Sequence, residues 1–233
     1  MIDLHRKLMA QVRQARAMKT TSRRPPLSRE RILRAALGIV DEEGLEAISM
    51  RRLGQALGVE AMSLYNHVSN KAELLDGVFE AILGELPAAK REPSWQAFLR
   101  ERARARRSVL RAHPNALPLF ATRPAVTPAS IAHVEAVLEA LRGGGFGIDE
   151  SLGAPQVLVA FVVGHTVATS ATPKPDEASA PAYHRLDPAA FPRVREAAAS
   201  LASHDVEAEF AFSLAALVAG LEAGRKRRAP TRR

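Results

Sequence analysis

An all-α fold, with an N-terminal three-helix helix-turn-helix unit followed by a larger helical domain, is predicted by three features of this 233-residue chain. Alternating β-branched runs are nearly absent. Ala, Leu, Glu and Arg recur at spacings of three and four throughout. Ser, Thr, Asn or Asp precedes the periodic stretches and Gly often follows them, as helix caps do.

Each element follows from these signals. Ser28 opens a helix with Ile32, Leu33, Ala36, Leu37 and Val40 on one face, closed by Gly44. Ser49 opens a second, with Leu53, Ala56 and Leu57, closed by Gly58. The stretch VEAMSLYNHVSNKAELL, residues 59–75, then places Ser63, Tyr65, Asn66 and His67 around two apolar anchors, Leu64 and Val68. Asn70 with Glu73 makes a capping-box-like start for Leu74, Leu75, Val78, Phe79 and Ile82. Ser94 caps a helix to about Ala112, and Thr127 with Pro128 starts one that three glycines stop after about Arg142. Asp149 begins a long helix holding Val157, Leu158, Phe161, Val162 and His165. Residues 171–187 are Pro-rich and read as a flexible loop. Asp187 with Pro188 begins a helix to about Leu201, and the last helix runs from about His204 to Ala223. The expected organisation is a basic arm at 1–27, the helix-turn-helix domain at 28–75, the larger domain at 76–223 and a basic tail at 224–233.

Composition narrows the function. The absence of cysteine excludes disulfides, thiolate metal sites and thiol nucleophiles, and fits a reducing cytoplasm. No apolar run approaches the roughly 18 residues of a membrane span, and the basic N-terminus lacks an apolar signal core. A cytoplasmic protein without membrane contact is expected. The net charge of +8 is unevenly placed: residues 1–27 carry seven Lys or Arg against Asp3, and 224–233 carry six with no acid, leaving a mildly acidic body. Such tails either touch nucleic acid or merely solubilise the ends.

The spacing within 28–68 is that of a helix-turn-helix whose second helix enters the major groove. Gly58 allows the tight turn, and Val59 and Leu64 pack inward against Leu53 and Leu57. Ala61, Met62, Ser63, Tyr65, Asn66 and His67 are left on or near the outer face. Ser63 and Asn66 suit base edges, Tyr65 and His67 suit phosphate, and Met62 suits either packing or a thymine methyl.

The stretch RERILRAALGIVDEEGLEAISMRRLGQALGVEAMSLYNHVSNKAELL resembles the bacterial tetracycline-repressor (TetR) family of transcriptional regulators. The resemblance implies a DNA-binding domain, a larger domain that binds a small molecule and dimerises, and a two-fold symmetric operator. It also places Ser49 and Arg51 at DNA-contacting positions of the second helix and Lys71 at a phosphate-contacting position. Ala61, Met62 and Asn66 depart from the tetracycline repressor's own residues, so a different operator is expected. A weaker resemblance to that repressor's subfamily continues through SWQAFLRERARARRSVLRAH, the Thr122-Arg123-Pro124 turn and GGFGIDESL. Of the drug-binding set only that turn survives. Leu119, Arg102 and Arg106 stand where the metal-side His, an Asn and a Phe are implied, and Pro87 where another ligand-side His is implied, so magnesium-tetracycline is not expected to bind.

Trp95, Phe98, Leu99, Arg102, Arg106, Val109, Leu110 and His113 share one face, an apolar stripe interrupted by two arginines. A buried guanidinium needs a carboxylate, water or an anionic ligand. Arg102 and Arg106 therefore pair with protein acids, snorkel, or read an effector bearing carboxylate or phosphate. Arg100, Arg104, Arg107 and Arg111 fall on another face, expected to be solvated. His165 is either a core histidine or pocket lining. Ligand candidates are thus Arg102, Arg106, His113, Thr122, Arg123 and His165.

No His, Asp or Glu cluster has metal-ligand spacing, and no nucleophile elbow, phosphate loop or dinucleotide fingerprint occurs, so neither a cofactor nor an enzyme is expected. The wide apolar faces of the helices near 149–170 and 204–223 serve either an intersubunit four-helix bundle or an intrachain core. The expected function is a homodimeric repressor on a palindromic double-stranded DNA operator, released by an unknown small-molecule effector. A constitutive architectural DNA-binding protein and a helical small-molecule enzyme are the alternatives.

Overall fold

The computed structural model describes residues 26–123, 127–170, 183–198, 200 and 205–228, and no strand occurs among them. Its helices are α1 (Arg29–Glu43), α2 (Met50–Leu57), α3 (Ala61–Leu64), α4 (Lys71–Gly84), α5 (Trp95–Ala112), α6 (Leu117–Thr122), α7 (Pro128–Gly143), α8 (Ile148–Ser170), α9 (Pro192–Glu196) and α10 (Val206–Arg228). Residues 1–25 and 229–233 of the basic ends, Pro124, and 171–182 of the expected loop lie outside the described residues.

The expected caps are formed. Ser28, Ser49 and Ser94 accept from the backbone N–H of Arg31, Arg52 and Ala97. Asn70 accepts from the Glu73 N–H at 2.9 Å, while the Glu73 carboxylate reaches back to the Ser69 N–H at 2.8 Å, one residue before the cap. Four elements differ from expectation. The turn Pro114–Ala116 and helix α6 fill the stretch between the helices expected to end near Ala112 and to start at Thr127, and Pro114 and Pro118 sit in their first turns, where no N–H is required. The helix expected from Asp187 begins only at Pro192: the Asp187 carboxylate accepts from the Ala189 N–H at 2.9 Å and holds a turn instead. Helix α10 continues past Ala223 to Arg228, since Gly224 keeps helical geometry and the basic residues that follow favour a helix C-terminus.

Two apolar cores organise these helices. The first joins α1, α2, α3 and all of α4 with Ala116 and Leu119. The second joins α5, α7, α8 and α10 through Leu99, Leu110, Leu141, Val162 and Leu214. Close approach at the helix-turn-helix depends on two glycines. Gly58 caps α2 in the left-handed region at φ 67°. Gly54, buried in α2, lets the following turn fold over it: a Cβ there would lie 2.9 Å from the Val59 carbonyl and 3.2 Å from the Ala61 nitrogen.

The cores meet at His113, at the end of α5. Its Nδ1 lies 2.9 Å from the Asp41 carboxylate on α1, and its Nε2 lies 2.9 Å from Glu85 at the end of α4. Burial opposes a charged ring, but the two carboxylates outweigh it and raise the His113 pKa above the ordinary imidazole value.

Helix α8 departs from the composition-based expectation about membrane spans. Ile148–Ser170 is long and apolar enough to cross a membrane by length and composition, with a mean hydropathy of 1.5 over its best window, of which 33% is buried inside the chain. Its buried side packs in the second core through Ala154, Leu158, Val162 and Val163. Its opposite side exposes Leu152, Val157 and Val167.

Two outcomes follow from this packing. Gly54→Val pushes α3 off α2 and lowers stability by roughly 1–3 kcal/mol in denaturant unfolding. His113→Gln costs about 1–3 kcal/mol at pH 6, where the charged hydrogen bonds are intact. Because the folded pKa is the higher one, that stabilisation is complete below about 6.5 and is lost as pH rises through the folded value. Unfolding midpoints of wild type and variant therefore converge as pH rises through the folded value, and parallel curves would contradict the clamp.

Candidate functional site

Helix α3 is a single turn whose helical path is prolonged by hydrogen bonds from the His67 and Val68 N–H groups to the Leu64 carbonyl, at 2.9 and 3.0 Å. Leu64 and Val68 are wholly buried and fix its angle, as the anchors predicted. Met62 is 73% and Tyr65 46% exposed, Asn66 and Lys71 are exposed, and Ala61, Ser63 and His67 are half-buried. One outward strip thus carries a hydroxyl, an amide, a phenol, an imidazole and an ammonium. Chemically it can read base edges through Ser63 and Asn66 and meet phosphate through Tyr65, His67 and Lys71.

Neighbouring residues brace the strip. The Ser49 hydroxyl accepts from the Arg52 N–H at 3.1 Å, which leaves its own proton free to donate outward. Arg52 donates Nε to both Glu43 oxygens, at 3.1 and 3.2 Å, tying α2 to the end of α1. That hydrogen bonding holds the Glu43 carboxyl below its usual range. Arg51 is exposed and forms no hydrogen bond or ion pair with the described residues, so its guanidinium can meet phosphate. Glu73, held below its usual range chiefly by the Ser69 N–H, also lies 3.7 Å from Arg29 and fixes the start of α4 beside Lys71.

The six ligand candidates do not form one site. Arg102 and Arg106 lie together where α5 meets α4 and α7. His113 faces the other way, into the Asp41–Glu85 clamp, and is a joint between cores rather than a pocket wall. The Thr122 hydroxyl donates to the Pro118 carbonyl at 2.8 Å. Arg123 pairs with Asp76 and donates to the Ala72 carbonyl at 3.3 Å, tying α6 to α4. His165 stands edge-on to Phe210 with centroids 5.1 Å apart and lies 3.7 Å from Glu209, against α10.

The solvated row also needs correction. Arg107 is only 5% exposed, because α10 covers it: it pairs with Glu207 at 2.5 Å and lies over the Phe210 ring at 4.3 Å. Arg111 shares Glu207 at 2.7 Å, and these bonds, Arg107 first, hold the Glu207 carboxyl below its usual range. Arg104, Arg107 and Arg111 line an open groove of about 460 Å³ against Glu207 and Phe210. Periodicity could not show this, because Arg107 and Glu207 are 100 residues apart. Sequence reasoning also passed over Gly54, which carries no local signal, and weighed His133 only as a chance-level pair with Glu135.

The chain is similar to known proteins along most of its length. Residues 32–78 match the family described as bacterial regulatory proteins, tetR family, and 86–225 match the tetracyclin repressor-like C-terminal domain. An HTH-type transcriptional regulator of Saccharopolyspora erythraea is 37% identical over 169 residues, covering 70% of each chain. The class E tetracycline repressor of Escherichia coli is 34% identical over 201 residues, covering 84% of this chain and 92% of its own. Among solved structures, the TetR family protein ActR of Streptomyces coelicolor in complex with actinorhodin superposes with a TM-score of 0.77 at 33% identity, covering 86% of this chain and 99% of that one.

Proposed function

The chain belongs to the TetR family of bacterial regulatory proteins, and on that premise we propose that it is a homodimeric repressor that binds a palindromic operator and leaves it when a small molecule enters its C-terminal domain. Its relatives are transcriptional regulators rather than enzymes. The observation that carries the reading is the α3 strip: polar and exposed outward, pinned by Leu64 and Val68 inward.

Dimerisation rests on the faces that the second core leaves open. Helix α10 exposes Ala208, Ala211, Phe212, Ala215 and Ala219, and Phe212 is 75% exposed. Helix α8 exposes Leu152, Val157 and Val167 on its outer side. Small residues let helices approach closely, and a second copy covers both faces at once. A helix with the core on one side and a twin on the other is apolar all round, which accounts for the membrane-like composition of α8. Two recognition helices related by a two-fold axis then meet two half-sites about one helical turn apart.

Ligand and operator favour different dimer conformations, so each weakens the other's binding by the same factor. Helix α4 is the natural relay. Its first turn holds Lys71, Asp76 receives Arg123 from α6, and Glu85 just past its end receives His113 from α5. Its solved relative binds actinorhodin, which supports a small-molecule effector here.

Selection of bound sequences from random DNA tests the core of this reading, and recovery of no shared sequence would end it. On the selected operator, Ser63→Ala and Asn66→Ala each cost about 1–3 kcal/mol and relax preference at their own base pair. Lys71→Ala weakens all sequences evenly and reduces the salt slope by about one. Val157→Asp with Phe212→Glu gives monomers in light scattering and loses cooperative operator binding, whereas a dimer of unchanged stability would place the interface elsewhere.

A further inference from the structure

Three basic side chains converge where α4, α5 and α7 meet. Arg102 and Arg106 are one turn apart on α5, close enough to repel. Arg102 is 7% exposed, donates to the Pro87 carbonyl at 2.6 Å, and lies 3.8 Å from the Glu101 carboxylate, beyond hydrogen-bond length. Arg106 forms no hydrogen bond or ion pair with any described residue. Burial, with the Arg102 charge adding to it, pushes its pKa down to about 10. His133 on α7 shares a backbone hydrogen bond with Leu83 on α4. Burial and then the Arg106 and Arg102 charges push its pKa below the ordinary imidazole value. Glu101 is the one carboxylate among the described residues at ion-pair distance from either guanidinium.

A fold that gathers a buried and a half-buried guanidinium beside an imidazole, with one weakly engaged carboxylate, is electrostatically incomplete. A half-buried guanidinium without a partner is a site for an anion, and its planar fork matches a carboxylate. The stripe around it is apolar, with Phe98, Leu99, Val109 and Leu110 on the same helix face. We propose that Arg106, backed by Arg102 and faced by His133, holds the carboxylate of a small and otherwise apolar organic acid, and that this acid is the effector. The effector role rests on the regulatory reading above; the site itself does not. An occupant here acts on α4 from its far end, since Leu83 and Pro87 both contribute backbone to the cluster.

The test uses the full chain with aliphatic and aromatic carboxylates from acetate to 2-naphthoate, each against its primary amide. Calorimetry reads affinity, and NMR follows the His133 ring. The acids are expected to bind at least about 10-fold more tightly than their amides, the size of one charged hydrogen bond. Saturation is expected to raise the His133 pKa, because the bound carboxylate offsets the guanidiniums. Arg106→Met is expected to raise that pKa without any acid, to abolish the preference for acids, and to melt no lower than wild type, since it removes an unpaired charge that Arg102 repels. The site is overturned if no acid binds, if amides bind equally, or if Arg106→Met keeps the preference. If acids bind through Arg106 while operator affinity is unchanged, the site stands and its effector role falls. If only neutral compounds release the operator, the regulatory reading stands and the anion site falls.

Discussion

Helix α4 is the constraint on which the rest of the molecule depends. Leu74, Val78 and Ile82 are fully buried in the first core, each worth about 1.5–3 kcal/mol when removed from water. That core also takes in Ala116 and Leu119 from beyond α5. The helix that begins beside the outward α3 strip is therefore packed simultaneously against the strip's supporting helices and against the C-terminal domain. It cannot shift toward one without straining its fit to the other, because close-packed interiors respond by discrete rearrangement rather than by yielding.

Polar ties reinforce this coupling at both ends of α4. Asp76 holds Arg123 near its start, and Glu85 holds His113 just past its end, with Asp41 of α1 on the other ring nitrogen. Arg123, from the turn that the family resemblance assigns to ligand contact, and His113, a ligand candidate from the α5 stripe, both hold elements together here. Charges that bridge helices in this way fix geometry more than they add net stability.

The arginines of α5 show how one composition yields three outcomes. Arg107 is neutralised by Glu207 and covered by Phe210, Arg102 is satisfied mainly by a backbone carbonyl, and Arg106 is left with neither. Residues 102, 106 and 107 lie within two turns of one helix, and what separates them is which neighbouring helix each one faces.

What the sequence by itself determined is local. The caps at Ser28, Ser49, Asn70 and Ser94, the turn glycine at 58, the anchors Leu64 and Val68 and the outward strip between them all rest on spacings of a few residues, and all are found in the structure. Helix type and the DNA-reading unit were legible for that reason. What only the tertiary structure decided is pairing over distance. His113 meets Asp41 across 72 residues and Arg107 meets Glu207 across 100, while His133 joins the arginine cluster from a different helix. A periodic pattern states which face of a helix is apolar but not what that face will meet. The fate of a buried charge is set by the second element, and so the separation of joint, brace and open site became visible only when the helices were packed.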